Sequence, residues 1–302
     1  MTKTLTMDKP DERRRLDHMA QGVIGKGLPR VDGALKVAGR APYAYEHPQE
    51  NMAFGVLIRA AAPKGTLKGL NREVLEKMDG VLGVFRDERF LRNPAQGTAN
   101  EAPVQDGSQQ VEYLGQPVAL VVAETFEQAR HAAQRAQADI ETETVIVDPE
   151  ADGAEVEAQD DEAVDQGDLD KAMREAHASV DQVYRTPSHA AAAMEPHCSI
   201  AKWDGDGLTV WSSLQMLNYN INELADSLGI DASNIHLLSP YVGGGFGSKL
   251  GISEEAIAAS VAAKALGRPV CVNMTRQQVF DSISGAPRRA SISGWRRRKT
   301  AR

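Results

Sequence analysis

A seven-residue apolar run, Pro117–Ala123, is the strongest constraint that this sequence places on its fold. It reads PVALVVA, and its length and lack of polar residues are typical of a strand that is buried on both faces. Thr125 follows, and Gln128 lies three residues later, which is the spacing of a helix capping box. The helix is expected to run to about Ala138, and the alternating residues 140–146 then predict a second strand. This strand–helix–strand pattern predicts a compact α/β unit.

Composition and charge divide the chain into five segments. Residues 1–25 form a polar arm in which no apolar stretch follows the arginines, so no self-encoded export signal is predicted. Residues 26–147 contain the α/β unit, and residues 148–175 form an acidic connection. Residues 176–285 begin a second unit, and residues 286–302 form a basic tail. A cytoplasmic location is expected, with the periplasm as the alternative if a partner carries the chain across a membrane.

Further elements are predicted in both units from periodicity, caps and turn residues. The predicted strands are residues 52–59, 81–85, 180–186, 199–204, 208–212 and 234–238. The predicted helices are residues 72–78, 169–177, 222–228 ending at Gly229, and 254–266 with Ser253 as the N-cap and Gly267 as the stop.

The acidic connection has two interpretations. From Glu141 to Asp170 there are thirteen Asp and Glu residues and no Lys or Arg. Like charges repel and keep a segment extended, which favours a solvated surface loop. A calcium site is the more specific alternative, but the segment lacks the spaced Asp-x-Asp-x-Asp-Gly pattern of a calcium loop.

The glycine-rich sequence GGGFGSK at residues 243–249 is the most informative local feature. Between a strand and a helix, such a loop can point several main-chain N–H groups at an anion or an oxo group. It is not a P-loop, because Ser248 precedes Lys249 where that motif needs glycine, and it does not fit GxGxxG. The pattern alone leaves an anion-binding cradle and a tight structural turn both open.

Other chemistry-bearing residues give weaker signals. Glu195, His197 and Cys198 could suggest a metal ligand set, although a structural role is favoured because only three polar candidates cluster there. Cys198 and Cys271 lie far apart in sequence, and neither an iron–sulfur nor a zinc spacing exists, so no metal-ligand set is expected on this chain. A single disulfide stays open. A net charge of −8 and 5% aromatic residues argue against a nucleic-acid partner, and no apolar run of about 18 residues indicates a membrane span.

Six segments, taken in order, resemble the molybdopterin-binding large subunits of the xanthine dehydrogenase and aldehyde oxidase family. They are GLPRVDGALKVAG at 27–39, YLGQPVALVVA at 113–123, MEPHCSIA at 194–201, SSLQ at 212–215, GGGFGSK at 243–249, and RPV at 268–270 with TRQQ at 275–278. The resemblance covers about residues 25–280. It implies an α+β fold class, in which a hammerhead α/β domain (26–147) is followed by the first part of a molybdopterin-binding α+β domain (176–285).

The resemblance also implies a chemistry. Members of this family hold molybdenum in a pterin dinucleotide and hydroxylate aldehydes or heterocycles with water as the oxygen source. Electrons leave through [2Fe–2S] clusters and FAD, here expected on an iron–sulfur subunit and a FAD subunit. By matching position, Gln215 would hydrogen-bond to an oxygen ligand of the metal. The main chain of Gly244, Gly245, Phe246 and Gly247 would hold the cofactor, and Gln215 and Phe246 would lie near the molybdenum.

Two departures from the family pattern refine this expectation. Leu250 stands where purine-oxidising relatives carry a glutamate, which favours small aldehydes over xanthine or other purines as substrates. Family subunits are also much longer, and their glutamate base lies beyond the end of this sequence. No catalytic residue is therefore assigned, and the chain is expected to be a truncated subunit that is inactive alone. A non-catalytic hammerhead scaffold, a purine-type hydroxylase subunit and a split subunit completed by a second polypeptide are the alternatives.

The tail contrasts with the rest of the chain. Seven of the fifteen residues 288–302 are basic, although the chain as a whole is acidic. A nucleic-acid or membrane-surface arm is one interpretation. The favoured hypothesis is a frameshift near residue 282, because the family resemblance fades there.

Overall fold

The computed structural model describes residues 22, 25–91, 109–146, 148, 151–154, 167–187, 189–282 and 289–297. The chain forms two compact units, Met1–Ala41 and Pro42–Arg302. In the first unit, a short helix (α1, Gly33–Val37) follows Asp32, whose carboxylate pairs with Lys36 at 2.6 Å. No described helix is both long and apolar enough to cross a membrane.

The second unit contains the remaining elements. Its strands are β1 Ala53–Arg59, β2 Gly65–Leu70, β3 Val81–Phe85, β4 Gln110–Val111, β5 Pro117–Ala123, β6 Ala138–Thr142, β7 Ala178–Thr186, β8 Cys198–Asp204, β9 Gly207–Ser212, β10 Ile235–Leu238, β11 Val270–Asn273 and β12 Arg289–Arg297. Its helices are α2 Arg72–Glu76, α3 Glu88–Leu91, α4 Phe126–Arg135, α5 Leu169–Arg174, α6 Leu217–Leu228, α7 Glu254–Leu266 and α8 Arg276–Ser282. Short 3-10 helices lie at Ala44–Glu46 and Ala232–Asn234.

A seven-stranded mixed sheet is the centre of this unit, in the order β10-β9-β8-β11-β1-β5-β3. β1 lies between β11, to which it is parallel, and β5, to which it is antiparallel. Strands from 26–147 and from 176–285 therefore share one sheet. The helix α4 packs on β1 and β5, and α7 packs on β8 and β11, so each helix covers part of the sheet.

The strongest sequence signals in the first segment are observed. All seven residues of β5 are buried, and Thr125 and Gln128 form the expected capping box at the start of α4. The helix ends at Arg135 rather than near Ala138, because Ala136 is already extended. The next strand, β6, ends at Thr142 and joins a separate sheet of order β4-β2-β6. The expected strand–helix–strand pattern thus spans two sheets, and the antiparallel partner β2 was not predicted.

In the second segment, the structure reproduces most predicted elements and adds others. α7 has the predicted bounds, and Gly229 and Gly267 end α6 and α7 in the left-handed conformation. Ser253 occupies the N-cap position of α7, but its hydroxyl makes no capping hydrogen bond. α6 begins at Leu217, five residues before the predicted start. The strand β11 and the helix α8 were not predicted.

The acidic connection and the basic tail are only partly described. In the connection, Asp148 and residues 151–153 are exposed, as the solvated interpretation expects, and residues 155–166 lie outside the described residues. In the tail, β12 pairs antiparallel with β7, from Arg289 opposite Thr186 to Arg297 opposite Ala178. The frameshift stays a hypothesis.

Candidate functional site

The glycine-rich loop leads from β10 towards α7 and has an unusual backbone. Gly244 and Gly247 have positive φ values of 96° and 92°, and Phe246 also lies in the left-handed region at 53°. A bulky residue rarely adopts this conformation, so its surroundings must hold it there. The Phe246 side chain is 77% exposed. The loop therefore turns its aromatic residue outward and keeps its backbone tightly wound.

Gln215, which follows β9, secures the second half of the loop. Its side-chain Oε1 accepts hydrogen bonds from the main-chain N–H groups of Gly247 and Lys249, both at 3.3 Å. The main-chain N–H of Gln215 donates to the Lys249 carbonyl at 2.8 Å. A Cβ on Gly245 would lie 2.2 Å from the Gln215 Oε1, so only glycine fits there. The structure thus brings the predicted residues Gln215, Gly244, Gly245, Phe246 and Gly247 together, while their binding of a cofactor stays a prediction.

Three consecutive main-chain N–H groups of the loop have no acceptor in the part of the chain that the structure describes. Among the described residues, no acceptor lies within hydrogen-bond reach of the N–H groups of Gly244, Gly245 and Phe246. Successive N–H groups on a tightly wound loop between a strand and a helix are suited to binding an external acceptor. An anionic or oxygen-rich group would suit this backbone, and the residues present therefore fit an oxo- or phosphate-bearing cofactor.

Glu195 supports the first half of the loop, a role that the sequence did not reveal. Its Oε2 accepts from the N–H of Gly243 at 2.7 Å, from Lys249 Nζ at 3.0 Å and from the Ser213 hydroxyl. The Lys249 side chain is 0% exposed, and its Nζ also donates to the Glu195 carbonyl at 3.0 Å. Burial lowers the pKa of Lys249, and the hydrogen bond to Glu195 acts in the opposite direction. No local pattern signals this pair, since its partners are 54 residues apart.

His197 and Cys198, the other candidates for a metal ligand set, have separate structural surroundings. His197 Nε2 lies 2.8 Å from the Ser248 carbonyl oxygen, and burial lowers the pKa of this imidazole. Cys198 and Cys271 are buried free thiols with their sulfur atoms 4.0 Å apart, so the disulfide left open by the sequence is not formed. In the described part of the chain, no group of three His, Cys, Asp or Glu residues could hold a metal ion.

The turn after the loop is fixed by the helix α6. Asn220 Nδ2 donates to the Leu250 carbonyl at 2.8 Å, and the Ile252 N–H donates to Glu223 Oε2 at 2.8 Å. Asn220 also donates to the same Glu223 carboxylate. Leu250 remains 37% exposed next to the loop. The main chain at residue 250 is therefore held at a defined position beside the loop.

Two family models match adjoining parts of the chain. Residues 38–144 match the a/b hammerhead domain of aldehyde oxidase and xanthine dehydrogenase, and residues 155–293 match a molybdopterin cofactor-binding domain. The second match extends into the basic tail. The chain thus contains sequence of both domains, and it belongs to the xanthine dehydrogenase and aldehyde oxidase family.

Characterised relatives point to the same family. The aldehyde oxidoreductase molybdenum-binding subunit PaoC of Escherichia coli (strain K12) is 37% identical over 295 residues, which cover 94% of this chain and 39% of that protein. The nicotine 6-hydroxylase large subunit of Paenarthrobacter nicotinovorans is 30% identical, over 83% of this chain and 33% of that protein. The chain therefore spans less than half the length of these relatives.

Solved structures confirm the α+β fold class. Quinoline 2-oxidoreductase from Pseudomonas putida 86 matches 89% of this chain and 37% of its own with a TM-score of 0.78 and 22% identity. Aldehyde oxidoreductase from Desulfovibrio gigas matches 85% of this chain and 31% of its own with a TM-score of 0.71 and 21% identity. At these identities the likeness concerns the fold alone.

Proposed function

We propose that this chain supplies the glycine-rich cofactor loop of a molybdenum hydroxylase that oxidises aldehydes. The observation that supports the proposal most directly is the row of three unpartnered N–H groups at Gly244, Gly245 and Phe246. These donors would hold the molybdopterin dinucleotide without any rearrangement of the loop, because the loop is already secured by Gln215 and Glu195. Preorganised donors of this kind bind and polarise without a reorganisation cost.

When bound, the molybdenum–pterin group supplies hydroxylation of the substrate carbon with water as the oxygen source and accepts the electrons released. The protein orients this group and tunes its surroundings. The amide oxygen of Gln215 accepts the N–H groups of Gly247 and Lys249, so its Nε2 group would be the donor available to the cofactor. The loop N–H groups add further donors to the same region. No residue of this chain is proposed as the catalytic base.

The turn after the loop supports an aldehyde as the substrate. Leu250 presents an apolar, partly exposed side chain, whereas a purine would require polar partners at this position. A site without those partners favours an aldehyde with an apolar or aromatic body. The name of the relative that is 37% identical, an aldehyde oxidoreductase subunit, supports the same choice.

The proposed enzyme needs partners that carry its electrons. The two cysteines of this sequence are buried free thiols on neighbouring strands, which is not a ligand set for a cluster. An iron–sulfur subunit with [2Fe–2S] clusters and a FAD subunit are proposed as the electron path. A cytoplasmic location is proposed, with the periplasm as the alternative for a complex that is exported by a partner.

The test is the metal and pterin content of the chain purified after co-expression with the polypeptides encoded beside it. Molybdenum is measured by mass spectrometry and the pterin by the fluorescence of its oxidised derivative. Near-stoichiometric amounts of both, together with turnover of an aromatic aldehyde, are expected. A complex that assembles but contains neither molybdenum nor pterin would contradict the proposal.

A further inference from the structure

We propose that Glu195 is the positioning residue of the glycine-rich loop: its carboxylate ties the two ends of the loop together and so aims the free N–H groups between them. What the loop binds rests on the proposed function, whereas the positioning itself is a property of this chain. Glu195 touches none of the three free N–H groups, and it therefore acts on any ligand only through the loop ends.

A single carboxylate oxygen of Glu195 joins the two ends of the loop. Glu195 Oε2 receives the Gly243 N–H at 2.7 Å at the start of the loop and Lys249 Nζ at 3.0 Å at its end. The Ser213 hydroxyl, two residues before Gln215, donates to the same oxygen. The segment after β9 and both ends of the loop thus meet at one atom. A loop closed in this way has few conformations left, which is what a preorganised donor array requires.

The charge of Glu195 is needed as well as its hydrogen bonds. Among the described residues, Lys249 Nζ donates hydrogen bonds to two acceptors, and both belong to Glu195. The lysine side chain is fully buried, so a neutral residue at 195 would leave its ammonium group without a hydrogen-bonded counter-charge, with only the more distant Glu255 acting on it. The lysine would then move or lose its proton, and the loop end at residue 249 would move with it.

Close packing prevents the loop from adapting to a change at this carboxylate. A Cβ on Gly243 would lie 2.4 Å from the Glu195 Cβ, so the two backbones are already in close contact. On the other side, Gly245 fits against Gln215 with no room for a side chain. Any displacement of Glu195 is therefore transmitted to the loop rather than absorbed around it.

Hydrogen exchange of the co-expressed full chain tests this inference, with Glu195→Gln as the variant. Exchange of the Gly243, Gly247 and Lys249 N–H groups is expected to become faster by about tenfold or more, because the hydrogen bonds that protect them weaken. The N–H groups of β5 and of the second half of α7 are expected to keep their exchange rates. Pterin retained after gel filtration is expected to fall by about tenfold.

Glu124→Gln is the matched control, since it removes a surface ion pair with Arg268 by the same chemical change. It should leave the loop and the pterin content as in the parent protein. If Glu195→Gln does not fold, Glu195→Gln with Lys249→Met removes the unpaired charge. This double variant should restore the exchange rates of β5 while the loop end stays fast.

Two results would overturn the inference. Loop N–H groups that exchange at the parent rate in Glu195→Gln would show that the carboxylate does not position them. Exchange that accelerates equally in the loop and in β5 would show a general structural role. If the parent protein contains no pterin and Glu195→Gln still accelerates exchange only in the loop, the proposed function is refuted and the positioning role is supported.

Discussion

The hydroxyl group of Tyr113 lies 3.4 Å from the carboxylate Oε1 of Glu254, and this contact joins the two segments that match separate family models. Glu254 is the first residue of α7, and it is 5% exposed. Burial, together with the neighbouring Glu255, raises its pKa to about 7, against the lowering effect of hydrogen bonds from the backbone and from Tyr113. Burial also raises the pKa of Tyr113. The junction therefore contains a carboxyl group that is protonated in mildly acidic solution.

The first prediction is a loss of stability as pH rises. The pKa of Glu254 is about 7 in the folded chain against an ordinary 4.5, so the folded state holds its proton more firmly. This contribution is fully present below about pH 4.5 and is lost as pH rises through about 7, by about 3 kcal/mol. Glu254→Gln should remove that part of the pH dependence. Urea unfolding of both proteins between pH 4.5 and 8 measures the difference, and parallel curves would contradict the assignment.

The second prediction concerns Gly245. Gly245→Ala places a methyl group 2.2 Å from the Gln215 Oε1 and should force the glutamine away from the loop. Pterin content of the co-expressed protein is expected to fall at least severalfold. Gly69→Ala is the control, because a Cβ at Gly69 meets no atom within 4 Å. Pterin content that is equal in the two variants would show that Gln215 does not need its present position.

The third prediction concerns Leu250. Leu250→Glu introduces a charged group at a position whose backbone is fixed by Asn220. The kcat/KM of the loaded complex for an aromatic aldehyde is expected to fall by about tenfold or more, because a charged group replaces an apolar contact. The variant Leu114→Glu, at another exposed leucine, should leave kcat/KM unchanged. An unaltered aldehyde kcat/KM in Leu250→Glu would place residue 250 away from the substrate.

The fourth prediction concerns the turn itself. Asn220→Ala removes the donor to the Leu250 carbonyl and leaves the Glu223 carboxylate with one partner fewer. Leu250 would then be free to move, so the KM for bulky aldehydes should rise more than the KM for small ones. Steady-state kinetics with a series of aldehydes gives the comparison. Asn51→Ala is the control, at a residue that is distant from the loop in sequence and has a positive φ. It should change stability but leave the ratio of the KM for bulky aldehydes to the KM for small ones as in the parent protein.

Local signals in the sequence were sufficient for much of the fold. The apolar run of β5, the Thr125 and Gln128 cap and the stop at Gly229 each lie within a few residues, where propensity and capping act. The helix α8 was missed although Thr275 and Gln278 repeat the same capping spacing, and they make the same pair of hydrogen bonds. The start of α6 was missed because three of its first four residues, Asn218, Tyr219 and Asn220, have weak helix propensity.

The sequence predicted only part of the candidate site, and the reason differs from that for the fold. The family resemblance pointed to Gln215 and the glycine-rich loop, because these residues form short motifs. Glu195 and Lys249 each lie in a short motif, but the two residues are 54 positions apart and the ion pair between them forms only after the chain has folded. Such pairs depend on tertiary packing, which the periodic pattern of a sequence does not reveal.

The place of β1 in the sheet has a consequence for biosynthesis. β1 pairs with β5 on one side, where Phe54 lies opposite Ala123, whereas its other neighbour, β11, begins at Val270 opposite Ala53. A ribosome adds about 5–20 residues per second, so one edge of β1 waits on the order of 10 to 40 seconds for its partner. During that interval a strand rich in apolar residues presents open hydrogen-bonding groups. Nascent chains stalled before residue 270 should therefore be strong chaperone clients, and release past β11 should end that dependence.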